Sequence, residues 1–328
     1  MAAALAVAVT AGAGAAERLD PLAPYEGIPE GYEIIQGDML VRTGGRGIQG
    51  AFEFGPWPGG VVPYEFDANV NSTNRDGMRL AMNEIQDVCA AIFIPRIGHD
   101  NYVHIQAHAS ENNSEVGYQG GEQIINIASW GVRFTMVHEL MHTLGFKHEQ
   151  SREDRDTYVI IHEDRIEDGM EHNFNSDADF MYGPYDFESV MHYGQCDFST
   201  CGRSACLAAP DNCRTISVKQ PWAANWQDEI GQRDGLSRGD IATLQCLYPE
   251  PLTVFVDDNP WQYWNPFAPP GSFLNPFPTV GGGESAVVPT GTVMIQPGHY
   301  LFAEKKHNKP MRLRAPLGGV KLDYFELP

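Results

Sequence analysis

Between positions 138 and 148 the chain reads His-Glu-Leu-Met-His-Thr-Leu-Gly-Phe-Lys-His. At about 100° per residue on an α-helix, His138, Glu139 and His142 fall within an arc of about 100°. Two imidazoles at i and i+4 can then grip one metal ion, with the Glu139 carboxylate beside them. His148 cannot reach that ion along a continuing helix, because ten residues at about 1.5 Å each carry it some 15 Å away. A third nitrogen ligand therefore requires the chain to turn back, since zinc–nitrogen bonds are only about 2.0–2.1 Å long. Gly145 stands where that stop is needed, and glycine best adopts the left-handed conformation that ends a helix. Three neutral ligands leave zinc its full charge and an open position, where the pKa of a water falls toward about 7. With a carboxylate beside that position for proton transfer, the pattern predicts metal-assisted hydrolysis with one Zn2+ per catalytic domain.

Positioning such a site requires a packed domain, and the flanking periodicities supply one. Val132, Met136, Val137, Leu140, Met141 and Leu144 recur at helical spacing and predict the helix that carries the first two histidines. Met78, Ala81, Met82, Ile85, Val88, Cys89 and Ile92 predict another, with Asn74 or Asp76 as its cap. Residues 102–107 and 123–128 are rich in Val and Ile and read as strands. Residues 51–249 form one unit in this reading, long enough to bury about 70% of its unfolded surface.

The whole chain has 328 residues, 42% hydrophobic and 20% charged, which excludes disorder throughout. Lys+Arg is 22 against Asp+Glu 43, a net charge of -21 that repels phosphate backbones and excludes nucleic acid as a partner. The acidity sits in residues 51–249, with 30 acidic and 13 basic residues. That balance disfavours strongly acidic substrates. No apolar run reaches about 18 residues, so no membrane span is expected.

Residues 1–16 are almost wholly Ala, Gly and Val and end in Gly14-Ala15-Ala16, which reads as a secretory signal without its usual basic start. The chain is expected to be secreted, where six cysteines can form disulfides. Residues 17–50 are a leader with Pro21, Pro24 and Pro29, followed by the Gly/Arg stretch 42–47, a natural site for proteolytic nicking. Residues 250–328 hold 12 of the 23 prolines, an aromatic cluster (Trp261, Tyr263, Trp264, Phe267, Phe273, Phe277) and the linker-like Gly281-Gly282-Gly283. Residues 291–300 and 311–316 look like one rung of a parallel β-helix, which must pack on something because one rung cannot bury its own face. Packing on the catalytic unit is favoured for the aromatic cluster over a sugar-binding platform.

The run HELMHTLGFKHEQSREDRDTYV, from His138 to Val159, resembles the signature of the astacin metallopeptidases of the metzincin clan. Ser189-Val190-Met191-His192-Tyr193 resembles that family's Met-turn, and Asn83–Ile105 and Gly59–Tyr64 are similar to its N-terminal elements. The resemblance covers roughly residues 31–249. It implies an α+β fold: a metzincin-type zinc peptidase domain with a twisted mixed sheet, a zinc helix and an irregular lower subdomain, followed here by a small β-rich tail. It assigns His138, His142 and His148 as zinc ligands, Glu139 as general base and Met191 as the apolar floor beneath the metal. Tyr193 becomes a switchable ligand that swings to stabilise the oxyanion, while Arg152, Asp154, Arg155 and Asp156 are structural. Substrates would be proteins or peptides, paired as extended strands along an edge near Ser114–Tyr118.

Ile35-Gln36-Gly37-Asp38-Met39 resembles the family's propeptide motif, so Asp38 would bind the zinc in a latent form. An activating protease cutting near residues 46–51 would create an N-terminus that the family buries near the position of Glu149. The resemblance also implies a disulfide between Cys89 and Cys246, each displaced by about one position from the usual alignment. The family's second common disulfide has no counterpart, because no cysteine lies between 90 and 195. Cys196, Cys201, Cys206 and Cys213 crowd the loop after the Met-turn; two local disulfides fit better than a four-thiolate zinc site, which lacks any Cys-x-x-Cys pair, and the pairing stays open. Two rival functions are a catalytically dead zinc-stabilised binding module, which the intact Glu139 and Tyr193 oppose, and a zinc hydrolase of non-peptide substrates, which the third histidine opposes.

Overall fold

The computed structural model describes residues 32–42, 55–176, 183–259, 270–273, 275–289, 291–296, 298–303, 310–315 and 320–325. The signal-like segment, the activation region at 46–51, and Trp261, Tyr263, Trp264 and Phe267 lie outside the described residues. The first strands, β1 (Tyr32–Ile35) and β2 (Met39–Arg42), form a hairpin within the leader. After them come β3 (Val61–Phe66), α1 (Ser72–Gln86), β4 (Ile92–Pro95), β5 (Tyr102–Ala107), β6 (Asn113–Glu115), β7 (Glu122–Ile127) and α2 (Arg133–Thr143). They build a seven-stranded mixed sheet in the order β1-β2-β6-β7-β5-β3-β4. Strands β3, β4, β5 and β7 run parallel, β6 is antiparallel to β7, and β2 lies parallel on the outer edge of β6.

The two helices bury their apolar faces on this sheet. Met78, Ala81, Met82 and Ile85 of α1 and Met136, Val137, Leu140 and Met141 of α2 share one core with Val62, Val103, Ile105, Ile125 and Ile127. The cap of α1 is Asn71 rather than Asn74 or Asp76: its side chain accepts the Asn74 N–H at 2.9 Å, so the helix starts a few residues earlier. Helix α2 stops as the spacing predicts. Gly145 has φ 106°, its N–H donates to His142 O at 2.8 Å, and Phe146 N–H donates to Met141 O at 3.0 Å. This is a Schellman end, and it turns the chain back toward the helix. Two further carbonyls at that end are satisfied from afar, Thr143 O by the Trp57 indole at 2.9 Å and Leu144 O by the Tyr248 hydroxyl at 2.8 Å.

The lower half is irregular. It contains β8 (Val159–Ile161), α3 (Arg203–Ala208), β9 (Ile216–Val218), α4 (Ala223–Trp226) and α5 (Arg238–Leu247), with β8 and β9 paired antiparallel. A second apolar cluster of Val159, Ile166, Phe174, Tyr185, Phe187, Tyr193, Ile216, Val218 and Ile230 holds it together. Two crossed disulfides, Cys196–Cys206 and Cys201–Cys213, staple the loop after Tyr193.

Cys89 and Cys246 are not joined by a disulfide, which corrects the expected pair: both side chains are buried. Cys89 turns its thiol to Ile85 O at 3.4 Å, and Cys246 lies 3.8 Å from the Gln296 amide of the tail. Cys246 lies on α5, where a displacement of one position rotates a side chain by about 100°. Burial pushes the Cys89 thiol up to about 11, so it stays protonated and unreactive. A thiol-specific dye is therefore expected to label these two cysteines in denatured protein and neither in the native state; a protein with no free thiol after denaturation would restore the disulfide.

The tail comprises β10 (Thr253–Val256), α6 (Val280–Ala286), β11 (Thr292–Ile295), β12 (Gly298–Ala303), β13 (Arg312–Arg314) and β14 (Val320–Phe325). Strands β10, β11 and β13 stack in parallel, and β12 pairs in parallel with β14, so the expected single rung is a short stack. The supposed Gly281–Gly283 linker is part of α6. A Cβ at Gly283 would lie 2.4 Å from Val256 Cγ2, so its glycine serves close packing of α6 on β10. Phe273 is buried and packs edge-on to Phe255 with ring centroids 5.6 Å apart.

Candidate metal centre

The turn after α2 brings His148 back beside the two helical histidines. His142 Nε2 is 3.1 Å and His148 Nε2 3.3 Å from His138 Nε2. Asp38 from the leader completes the group, 3.1 Å from His138 Nε2, 3.5 Å from His142 Nε2 and 3.0 Å from His148 Nε2. Tetrahedral zinc with bonds of about 2.0–2.1 Å places its ligand atoms about 3.3–3.4 Å apart, so this donor set has the required span. Among the described residues it is the cluster able to hold a metal ion.

The hydrogen bonds fix the chemistry of two rings. His138 Nδ1 faces Val190 O at 2.8 Å and His142 Nδ1 faces Phe146 O at 2.7 Å. A carbonyl cannot donate, so both Nδ1 atoms carry the proton and both Nε2 atoms present lone pairs to each other. Burial, helped by the Arg233 charge, lowers the His138 pKa to about 3, which keeps the ring neutral as ligation requires. Facing lone pairs at 3.1 Å repel unless a cation lies between them, and Asp38 Oδ1 is buried without a hydrogen-bond donor. The site fits zinc.

Around this centre, Glu139 is buried next to the ligands, with Oε2 unpartnered. Burial and the Asp38 charge hold its carboxyl well above the usual range, against the pull of Arg233. Asp38 is held well below its usual value: burial opposes this, but the His148 charge and the three imidazole contacts outweigh it. Tyr193 lies tilted against His148, centroids 4.5 Å apart, and its hydroxyl donates to Gln36 O of the leader. Met191 is buried in the turn that carries Val190, and its carbonyl accepts Glu149 N–H at 3.1 Å. Glu149 lines a cavity of about 100 Å³ with Arg152, Asp186, Asp240 and the tail's Phe273. Burial pushes its carboxyl up to about 8. Arg152 pairs with Asp154 at 2.9 Å and with Glu149 at 3.4 Å, a structural arrangement. His192 is a core residue bonded to the Tyr185 hydroxyl at 2.7 Å.

The edge near Ser114–Tyr118 does carry an extended segment, and it is the leader. Met39 and Leu40 pair with Ser114 and Glu115, and Ser114 N–H donates to Asp38 O at 2.9 Å. The cleft beside the metal centre has a volume of about 740 Å³ and is lined by Asp38, Val132, His138, Glu139, Tyr193, Phe198 and Arg233, among others.

Three residues that the spacing argument passes over belong to the site. Arg233 places a partly buried guanidinium near Glu139 and donates to His192 O at 3.3 Å. Phe198, held at φ 54° in the stapled loop, packs on Tyr193 with centroids 5.7 Å apart. Asp240 accepts the Ser189 hydroxyl at 2.7 Å, Val190 N–H at 2.9 Å and Ser237 N–H at 3.0 Å, so it caps α5 and fixes the turn that orients His138. Its signal is present as Ser237-x-x-Asp240, a capping-box spacing. Asp240→Ala would orphan three buried donors at about 1–3 kcal/mol each, a loss of at least about 3 kcal/mol in urea unfolding. A change below about 1 kcal/mol would remove Asp240 from this role.

Three convergent imidazoles on a helix and its returning loop, with a carboxylate beside them, define a zinc metallopeptidase centre. The peptidase family described as Astacin matches residues 52–249. The chain is 34% identical over 203 residues to zinc metalloproteinase nas-14 of Caenorhabditis elegans, covering 58% of this chain and 37% of that protein. It is 31% identical over 227 residues to low choriolytic enzyme of Oryzias latipes, covering 66% of this chain and 78% of that one. The solved structure of high choriolytic enzyme 1, a hatching enzyme zinc-protease from the same fish, matches with a TM-score of 0.53 and 30% identity over 62% of this chain and 98% of that chain. The chain belongs to the astacin family, and its catalytic unit is a zinc metalloendopeptidase domain. It spans little more than a third of the length of nas-14.

Proposed function

We propose that this chain is a secreted endopeptidase made as a latent precursor, with residues 17–50 as propeptide and 250–328 as a C-terminal extension. The observation that carries the reading is the convergence of His138, His142 and His148 beside Glu139, with Asp38 of the leader in the fourth position. Held by the three histidines, one zinc ion would supply the positive charge that acidifies water and polarises a peptide carbonyl. Glu139 takes the proton of the attacking water and passes it to the leaving amine. Tyr193, once its hydroxyl is free of Gln36 O, donates to the developing oxyanion. The β6 edge, freed of β2, pairs with the extended substrate. Phe198 and Val132 give the cleft apolar wall, and Arg233 places a positive charge in it.

Secretion is supported by the signal-like segment and the two disulfides, since disulfides persist in oxidising compartments. No helix among the described residues is long and apolar enough to cross a membrane. The test is casein cleavage by the purified precursor before and after limited trypsin treatment, with a chelator control. Chelator-sensitive activity that appears only after nicking within residues 42–51 is the expected result. Activity without nicking would discard latency and keep the peptidase. A nicked, folded, zinc-loaded protein inactive on casein and on a peptide library would favour a binding module.

A further inference from the structure

We infer that Gln36 is a positioning residue for the third zinc ligand, so that the leader retains the metal as well as covering it. This rests on reading residues 32–42 as a latency segment. The three histidines are not oriented alike. His138 and His142 direct Nδ1–H to the Val190 and Phe146 carbonyls, which belong to the catalytic unit. His148 Nδ1 faces Gln36 Oε1 at 3.2 Å, and the same oxygen accepts the Ser151 hydroxyl at 2.9 Å. The third ring is thus oriented by a residue that leaves with the propeptide.

The turn Gln36-Gly37-Asp38 grips His148 from both sides, Gln36 at Nδ1 and Asp38 at Nε2, 3.0 Å away. It is tightly constrained. Gln36 is 2% exposed and sits at φ 46°, a conformation that costs a non-glycine residue about 1–3 kcal/mol and persists only where surroundings enforce it. Gly37 has φ 80°, and a Cβ there would lie 2.6 Å from Phe198 Cζ and 2.9 Å from the Tyr193 hydroxyl. An acceptor on Nδ1–H fixes the tautomer and ring of a zinc-bound histidine and raises its basicity; losing one typically lowers metal affinity about 10–100-fold. Cleavage therefore removes two supports at once, the fourth ligand and the outer partner of the third. The precursor is the form that holds zinc best.

The test measures zinc release to an excess of chromophoric chelator, in a Glu139→Gln background that prevents self-processing. Gln36→Met keeps the size and removes the oxygen; its precursor is expected to release zinc about 10–100-fold faster than the parent. Gln36→Glu retains an acceptor oxygen and is expected to release zinc near the parent rate. Parent-like release from Gln36→Met overturns the inference. A second comparison does not depend on that variant folding: an Asp38→Ala precursor still has Gln36 and must hold zinc longer than trypsin-matured protein, which has lost both. Equal rates in that comparison overturn the inference. In an otherwise native background, an uncleaved precursor as active as the trypsin-matured protein would instead sink the latency reading, so the two failures are separable.

Discussion

Glu139→Gln is expected to retain one zinc per chain and to lose about 10²–10⁴-fold in kcat/KM on a peptide substrate. The carboxylate is outside the ligand set, so the three imidazoles and their carbonyl partners are untouched by the change. Glutamine fills the same space but cannot accept a proton, which isolates proton transfer from packing. With residues 32–42 in place, burial and Asp38 hold Glu139 well above the usual carboxylate range. Departure of the leader removes that negative charge and opens the cleft to water, both of which bring the pKa down toward the range a general base needs. Zinc content from a metal-binding dye and kcat/KM on the same trypsin-matured sample decide the matter. An active variant would leave the mechanism without its base; a variant without zinc would make Glu139 structural.

Asp38→Ala is expected to give a precursor that cleaves peptides while its leader is still attached. Asp38 is the group through which the leader reaches all three histidines, at 3.0–3.5 Å. Loss of a charge-assisted contact is worth about 1.5–3 kcal/mol, which corresponds to about 10–100-fold in the fraction of uncovered sites. The gain falls short of full maturation because β2 still pairs with the β6 edge and Gln36 still engages Tyr193. Initial rates are read on protein whose intact mass shows no cleavage. Continued latency of that uncleaved variant would transfer the block from the aspartate to the hairpin.

The features legible in the sequence are those set within a few residues. His138, Glu139 and His142 share a face because the helix repeat puts them there, and Gly145 ends the helix at the expected place because only a left-handed residue closes a Schellman turn. The motif at residues 35–39 is legible only as a resemblance, and the structure brings Asp38 to the three histidines from a hundred residues away. The crossed pairing of Cys196, Cys201, Cys206 and Cys213 is not legible, because four cysteines allow three connectivities and only loop geometry chooses among them. The cap of α1 falls three residues before the expected Asn74 because Asn71 and Asn74 are both competent, and the competition turns on where the apolar face begins.

Taken alone, the sequence determined the candidate metal site, with His138, Glu139 and His142 set by helical spacing and His148 by the stop at Gly145, while the class of reaction followed from the family resemblance those residues carry. Tertiary structure decided how each histidine is held. Val190, 52 positions from His138, and Gln36, 112 positions from His148, are polar partners chosen by burial, which makes an unpaired interior N–H costly and favours whichever acceptor the fold supplies. Burial also left Cys89 and Cys246 apart, because a disulfide needs two thiols aimed at each other and not merely two cysteines at the ends of a domain.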